Sequence, residues 1–274
     1  MTLNSSSARK LNRCHLCIQL PTVLFVVMLT AIAAAMPPAE YKLVWADEFD
    51  GTSLDTNKWD YRQLGKRHDA LNVTNAVSVG NGCLTIATYT EARQHYTGMI
   101  STRGKFEPIR GYWEARIRYD DAPGMWSAFW LQSSTIGQPV GDPAKAGIEI
   151  DICEHRVTDN KGQSLAGQVR QTLHWDGYGK SHKSNGHLTP DLKLAAGFHV
   201  YGFEWTSSAY RFYVDGQLTW TVSEPISSTN EFAILSSEIK DGGWAGHIPG
   251  GDFGGPAGSK TKMVVDYVRY YSRE

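Results

Sequence analysis

The stretch Gly147-Ile148-Glu149-Ile150-Asp151-Ile152-Cys153-Glu154 is an apolar strand that carries three carboxylates. Successive side chains of a strand point to opposite faces, so Ile148, Ile150 and Ile152 form one hydrophobic side and Glu149 and Asp151 share the other. Strict alternation would send Glu154 to the hydrophobic side, where an unpaired charge is costly. One extra residue, inserted as a β-bulge between Asp151 and Glu154, returns Glu154 to its partners. The reading therefore predicts three acids on one open face and isoleucines packed into a core. A calcium loop or a solvated edge strand is the plainer alternative. The flanking isoleucines and the lack of Gly and Asn between the acids count against both.

Working outward, strand patterns recur along the whole chain. They are predicted at 83–88, 111–119, 127–131, 147–153, 168–174, 199–205, 210–214, 232–236 and 263–271. In Tyr112-Trp113-Glu114-Ala115-Arg116-Ile117-Arg118, the charged residues fall on one face and Trp113, Ala115 and Ile117 on the other. Asp215-Gly216 between two such runs predicts a tight hairpin turn. Long amphipathic helical periodicity is absent, and no regular strand-helix alternation supports a parallel sheet, so the expected fold is all-β with antiparallel strands. With 274 residues and no linker or charge block after Pro38, one catalytic-sized domain spanning 36–274 is expected. A formal net charge of -1 gives no attraction to nucleic acid, and the nine tryptophans suit a neutral ligand with flat faces, such as a sugar.

The first 35 residues read differently. Arg9, Lys10 and Arg13 precede an apolar stretch from Val23 to Ala35 that ends in three alanines. That is the pattern of a signal peptide, and the stretch is short for a membrane span. Export and cleavage near Ala35 are expected, the alternative being an uncleaved N-terminal anchor. Cleavage removes Cys14 and Cys17, whose spacing invites a zinc reading, and leaves Cys83 and Cys153, which either pair or are small buried apolar groups.

Three clustered carboxyls repel one another, so their protonation must divide, one holding a proton while another is ionised. Retaining glycoside hydrolysis needs that division, with two carboxyls about 5–5.5 Å apart, one as nucleophile and one as general acid and then base. Glu149 and Glu154 have the reach, and the shorter Asp151 suits a tuning role.

The run Glu149-Ile150-Asp151-Ile152-Cys153-Glu154 resembles the catalytic signature of glycoside hydrolase family 16 in its bulged form. Further landmarks resemble the same family: Trp45-Ala46-Asp47-Glu48-Phe49-Asp50-Gly51, Gly111 to Ile117, Gly124 to Leu131, Phe198 to Trp205, Phe212 to Gly216 and Val265 to Tyr271. The resemblance implies a concanavalin A-like jelly-roll β-sandwich of two antiparallel sheets with a concave cleft, and an endo-acting retaining mechanism. By position it makes Glu149 the nucleophile, Glu154 the acid/base and Asp151 the assisting carboxylate. His174 and Trp175 match places where relatives present cleft residues. Glu48 and Asp266 match acidic positions at which many relatives hold a structural calcium, so calcium is possible and no other cofactor is required.

For sugar binding, Trp126 and Trp130 share one strand face, and Trp205 is chosen over its neighbour Glu204 as a third platform. The expected substrate is a β-1,3- or β-1,3-1,4-glucan. Two departures weaken that assignment: Ser127 stands where β-1,3-glucanases of the family usually have Pro, and Ser236-Ser237-Glu238-Ile239 replaces a Gly-rich apolar segment. The patch Lys180, His182, Lys183 and His187 could meet acidic or sulfated groups, so an agarose-, carrageenan- or porphyran-type galactan is the alternative. A non-catalytic lectin-like sandwich is the alternative from another class, and a transglycosylase would use the same residues. A polysaccharide partner, no nucleic acid, no stable membrane association after signal cleavage and a monomer complete the expectations.

Overall fold

The computed structural model describes residues 37–194 and 197–273. The expected signal segment, with Cys14 and Cys17, lies outside the described residues. The strands in chain order are β1 Tyr41–Asp47, β2 Asp60–Tyr61, β3 Gly65–Arg67, β4 Ala70–Asn72, β5 Val77–Gly80, β6 Cys83–Ala87, β7 Tyr89–Glu91, β8 Gln94–Thr97, β9 Met99–Ser101 and β10 Gly111–Asp120. They continue as β11 Met125–Ser133, β12 Glu149–His155, β13 Val169–Trp175, β14 Lys183–Leu188, β15 His199–Trp205, β16 Tyr210–Val214, β17 Gln217–Val222, β18 Glu231–Ile239 and β19 Lys262–Arg273.

Two large antiparallel sheets hold most of these strands. One has eight strands, ordered β17-β16-β15-β10-β19-β6-β5 with β1 also paired to β19; the other has seven, ordered β14-β13-β12-β11-β18-β9-β2. A small four-stranded sheet, β3-β4-β8-β7, completes the fold. Among the described residues, no helix is long and apolar enough to cross a membrane.

The expected strands form where their patterns place them, with ends that shift by up to three residues. The sequence reading did not pick out β1 to β5, β7 to β9 or β14. In β10, Trp113, Ala115 and Ile117 are fully buried in the main core, as their alternation requires. The hairpin between β16 and β17 turns on Asp215 and Gly216, whose φ values of 48° and 78° are the left-handed pair of a tight two-residue turn. The core lies between the large sheets and joins Phe129 and Leu131 of β11 and Ile150 of β12 to Phe203 of β15 and Val265 and Val268 of β19. Burying one such side chain completely contributes about 1.5–3 kcal/mol.

The bulge in β12 is present. The pairing with β13 runs Asp151 to Thr172 and then Glu154 to Arg170, and the pairing with β11 shifts between Phe129 and Trp130. Ile152 and Cys153, consecutive in sequence, both lie in the main core. That is how one strand places two neighbours on the same side. Cys83 and Cys153 are both free thiols. The Cys153 sulfur sits 2.9 Å from the Tyr119 hydroxyl, which makes it a core group.

Candidate active site

Glu149, Asp151 and Glu154 line one cleft on the face of the seven-stranded sheet, a cavity of about 410 Å³. β11 brings Trp126, Ala128, Trp130 and Gln132 to the same face, β13 brings His174 and β18 brings Glu238. Loop and edge residues Gln63, Arg67, His68 and Tyr178 close the sides. The entry into β12 is fixed by Gly147, whose φ is +70° and whose absent side chain leaves room for Ser133: a Cβ there would fall 2.2 Å from the Ser133 Cβ. Beside that entry, the fully buried Glu231 accepts a hydrogen bond from the Ile148 amide at 3.2 Å.

Glu149 is held by one of its two oxygens. Its Oε2 accepts from Gln132 Nε2 at 2.8 Å and from the Tyr178 hydroxyl. Gln132 Nε2 also donates to Tyr178, and Arg62 Nη2 donates to Gln132 Oε1 at 2.6 Å. The Arg62 guanidinium lies over the Phe232 ring at 4.9 Å. Asp151 faces His174, whose Nε2 is 3.3 Å from its Oδ2. The other ring nitrogen of His174 is 2.9 Å from His182 Nε2. Across the cleft, Glu238 takes a bidentate pair from Arg67, at 2.8 and 2.9 Å, and lies 3.2 Å from His68.

The electrostatics divide the acids. Burial pushes Asp151 and Glu154 well above the usual carboxylate range, and the neighbouring carboxylates push them further. Burial also raises Glu149, but the Tyr178 bond, the His174 ring and Gln132 pull it back. Burial would lift Glu238 too, yet His68 and Arg67 outweigh it and hold that carboxyl below its usual range. One face thus carries acids suited to give protons, and one acid better stabilised as an anion.

Trp126, Trp130 and His174 line the cleft as expected. Trp126 stands edge-on to Trp244, 5.5 Å away, and the Trp130 indole donates to Ser236 at 3.1 Å. Trp205 does not reach the cleft. It is 1% exposed in the main core, on the other large sheet, and its indole donates to the Ser227 carbonyl. Trp175 is also misplaced by the sequence reading: alternation along β13 puts His174 on the cleft and turns Trp175 toward the core, against which it packs. Of the basic patch, Lys183 pairs with Asp176 at 2.9 Å, and the His187 ring stacks near Trp220. Gln132, Tyr178, Arg67, His68 and Glu238 were missed. Only Gln132, two residues beyond Trp130 on the same strand face, had a readable signal.

At Glu48 and Asp266, the positions where a structural calcium is possible, both acids are paired with arginines. Arg269 takes both oxygens of Glu48 at 2.8 Å, and Arg116 Nη1 pairs with Asp266 at 2.6 Å. The Lys58 ammonium lies 2.8 Å from the Ala46 carbonyl and 3.6 Å from Asp47, bringing a positive charge into the pocket that Glu48 lines. Glu149, Asp151 and His174 do bring donor atoms within 4.8 Å of one another.

Residues 42–273 match the family model described as the GH16 domain of beta-porphyranases A–D. The chain belongs to glycoside hydrolase family 16. Among family 16 relatives, the beta-glucanase of Rhodothermus marinus is 30% identical over 259 residues, covering 84% of this chain and 85% of the relative. Glucan endo-1,3-beta-glucosidase A1 of Niallia circulans is 27% identical over 86% of this chain, which spans 38% of that relative's length. Beta-porphyranase B of Zobellia galactanivorans is 25% identical, covering 84% of each chain. Its crystal structure superposes with a TM-score of 0.69 at 24% identity, covering 88% of this chain and 98% of that one. The two large antiparallel sheets are accordingly the jelly-roll sandwich of the family.

Proposed function

We propose that the chain is a retaining endo-glycosidase that cuts internal β-glycosidic bonds of an anionic galactan of the porphyran type. Glu149 attacks the anomeric carbon, Glu154 protonates the leaving oxygen and then activates water, and Asp151, neutral between them, limits their repulsion. The observation that carries this reading is the bulged strand, which puts all three acids in one cleft. The porphyranase-type domain match supports the galactan, as do the guanidinium groups of Arg62 and Arg103 over the Phe232 ring. Aromatic faces at Trp126 and Trp130 suit sugar rings.

The second reading is a β-1,3- or β-1,3-1,4-glucan, favoured by the 30% identity to a beta-glucanase. Reducing-end release from porphyran, agarose, carrageenan, laminarin and lichenan separates the two. Cleavage of laminarin or lichenan with porphyran untouched overturns the galactan, and binding without cleavage of any of them overturns the enzyme. Product anomers followed by NMR should retain configuration. Export with cleavage near Ala35 belongs to the same proposal, and N-terminal sequencing of the mature protein tests it.

A further inference from the structure

The two oxygens of Glu149 are not equivalent. Oε2 accepts two hydrogen bonds, from Gln132 Nε2 and from the Tyr178 hydroxyl, and among the described residues Oε1 accepts none. The Tyr178 side chain is more than half exposed, on a turn whose base is fixed. Asp176 accepts from the Gly141 amide at 2.7 Å and from Lys183 at 2.9 Å. Gly137 and Gly177 let two loops meet backbone to backbone, a contact in which a Cβ on Gly137 would fall 2.6 Å from the Gly177 Cα. The hydroxyl is thus delivered to the carboxylate by an anchored turn. Behind it, Arg62 bonds Gln132, and Gln132 bonds both Tyr178 and Glu149.

We propose that Tyr178 is a further catalytic residue, which with Gln132 fixes Glu149 Oε2 as the carbonyl oxygen of the glycosyl-enzyme ester, leaves Oε1 to attack, and speeds breakdown of that ester. The inference rests on the retaining reading above. In the first step the Oε1–carbon bond forms, the glycosidic carbon–oxygen bond breaks, and the departing oxygen takes the proton of Glu154. Charge leaves the carboxylate, so the bonds to Oε2 weaken. In the second step water attacks the anomeric carbon, its proton goes to Glu154, and the Oε1–carbon bond breaks with its electron pair returning to the carboxylate. Charge reappears on Oε2 as that bond stretches, and the two donors already stand there. Donors aimed at developing charge contribute most to the step in which the charge develops. Tyr178 therefore favours the second step over the first.

Tyr178→Phe keeps the ring and removes the hydroxyl. The test measures steady-state turnover of porphyran and the intact mass of acid-quenched enzyme, with thermal midpoints confirming that the variant is folded. The expected result is a fall in kcat of about tenfold or more, a fall in KM with it, a nearly unchanged kcat/KM, and a sugar adduct on the peptide containing Glu149. Tyr178→Ala should reproduce the fall in kcat. A raised KM at unchanged kcat makes Tyr178 only a sugar platform and overturns the proposal, as does native kcat with no adduct. If the native protein cuts laminarin instead, the same measurements are made on laminarin, and only the substrate assignment has failed. If the native protein cuts no polysaccharide of the panel, the retaining reading fails first and the role of Tyr178 falls with it.

Discussion

Two sets of buried acids can be compared, one on each large sheet. On the eight-stranded sheet, Glu204 is 3% exposed and is met by the Tyr41 hydroxyl at 3.0 Å, Arg211 at 2.8 Å and Arg273 at 3.1 Å. Glu114 is 2% exposed and has the Tyr271 hydroxyl at 3.1 Å and Arg269 at 3.7 Å. On the seven-stranded sheet, Asp151 is 5% exposed, and its closest neighbours are a histidine and other carboxyls. Burial is similar in the two places, and the company differs. An acid buried with cations and phenols holds a structure together, whereas an acid buried with other acids keeps its proton and is ready to give it.

The largest break in that contrast comes from the cleft. Glu154→Gln should lower kcat/KM by about 10²–10⁴-fold, and Glu149→Gln by at least as much, with polysaccharide binding retained in calorimetry. The same change on the other sheet should do something else. Glu204→Gln should leave kcat and KM unchanged and cost about 1.5–3 kcal/mol of stability, read by denaturant unfolding. Arg211 and Arg273 are reached by solvent, which keeps that figure below the one for a sealed ion pair.

Glu231 sharpens the comparison, because its partners are the Ile148 amide and the Ser227 hydroxyl, with the Glu149 charge nearby. Burial pushes its carboxyl up to about 8. A folded-state value raised above the unfolded one means that its stabilisation is complete below the unfolded carboxylate range and is lost as pH rises toward about 8. Thermal midpoints of the native protein should fall across that window, and Glu231→Gln should flatten the fall. The smallest effects concern the aromatic faces. Trp126→Ala should raise KM with little change in kcat, while Trp175→Phe, which alters a core-facing side chain, should leave KM alone.

Much of this contrast was legible in the sequence. Period two gave the strands and the buried face of β10, and the odd spacing of Glu154 required the bulge. Alternation also shows that Glu204 and Trp205 face opposite ways, but it does not say which sheet their strand joins, so Trp205 was placed at the cleft when it fills the core. Of the strand neighbours His174 and Trp175, alternation allows only one to face the cleft; His174 does, and Trp175 turns to the core. Arg67 and His68 meet Glu238 because the chain after β3 docks on the end of β18, where the Asp69 amide donates to the Ile239 carbonyl, and Tyr178 reaches Glu149 from a turn. Cross-strand register and loop docking are long-range facts, and no local pattern encodes them.

The bulge has a further consequence for how the strand can change. Its extra residue makes the step from Asp151 to Glu154 count as two positions in the pleat, although three residues are traversed. Deleting either Ile152 or Cys153 would leave a regular strand in which every downstream side chain keeps its side. The catalytic strand is therefore indifferent in phase to the loss of that one residue, while loss of a residue on either flank would invert part of it.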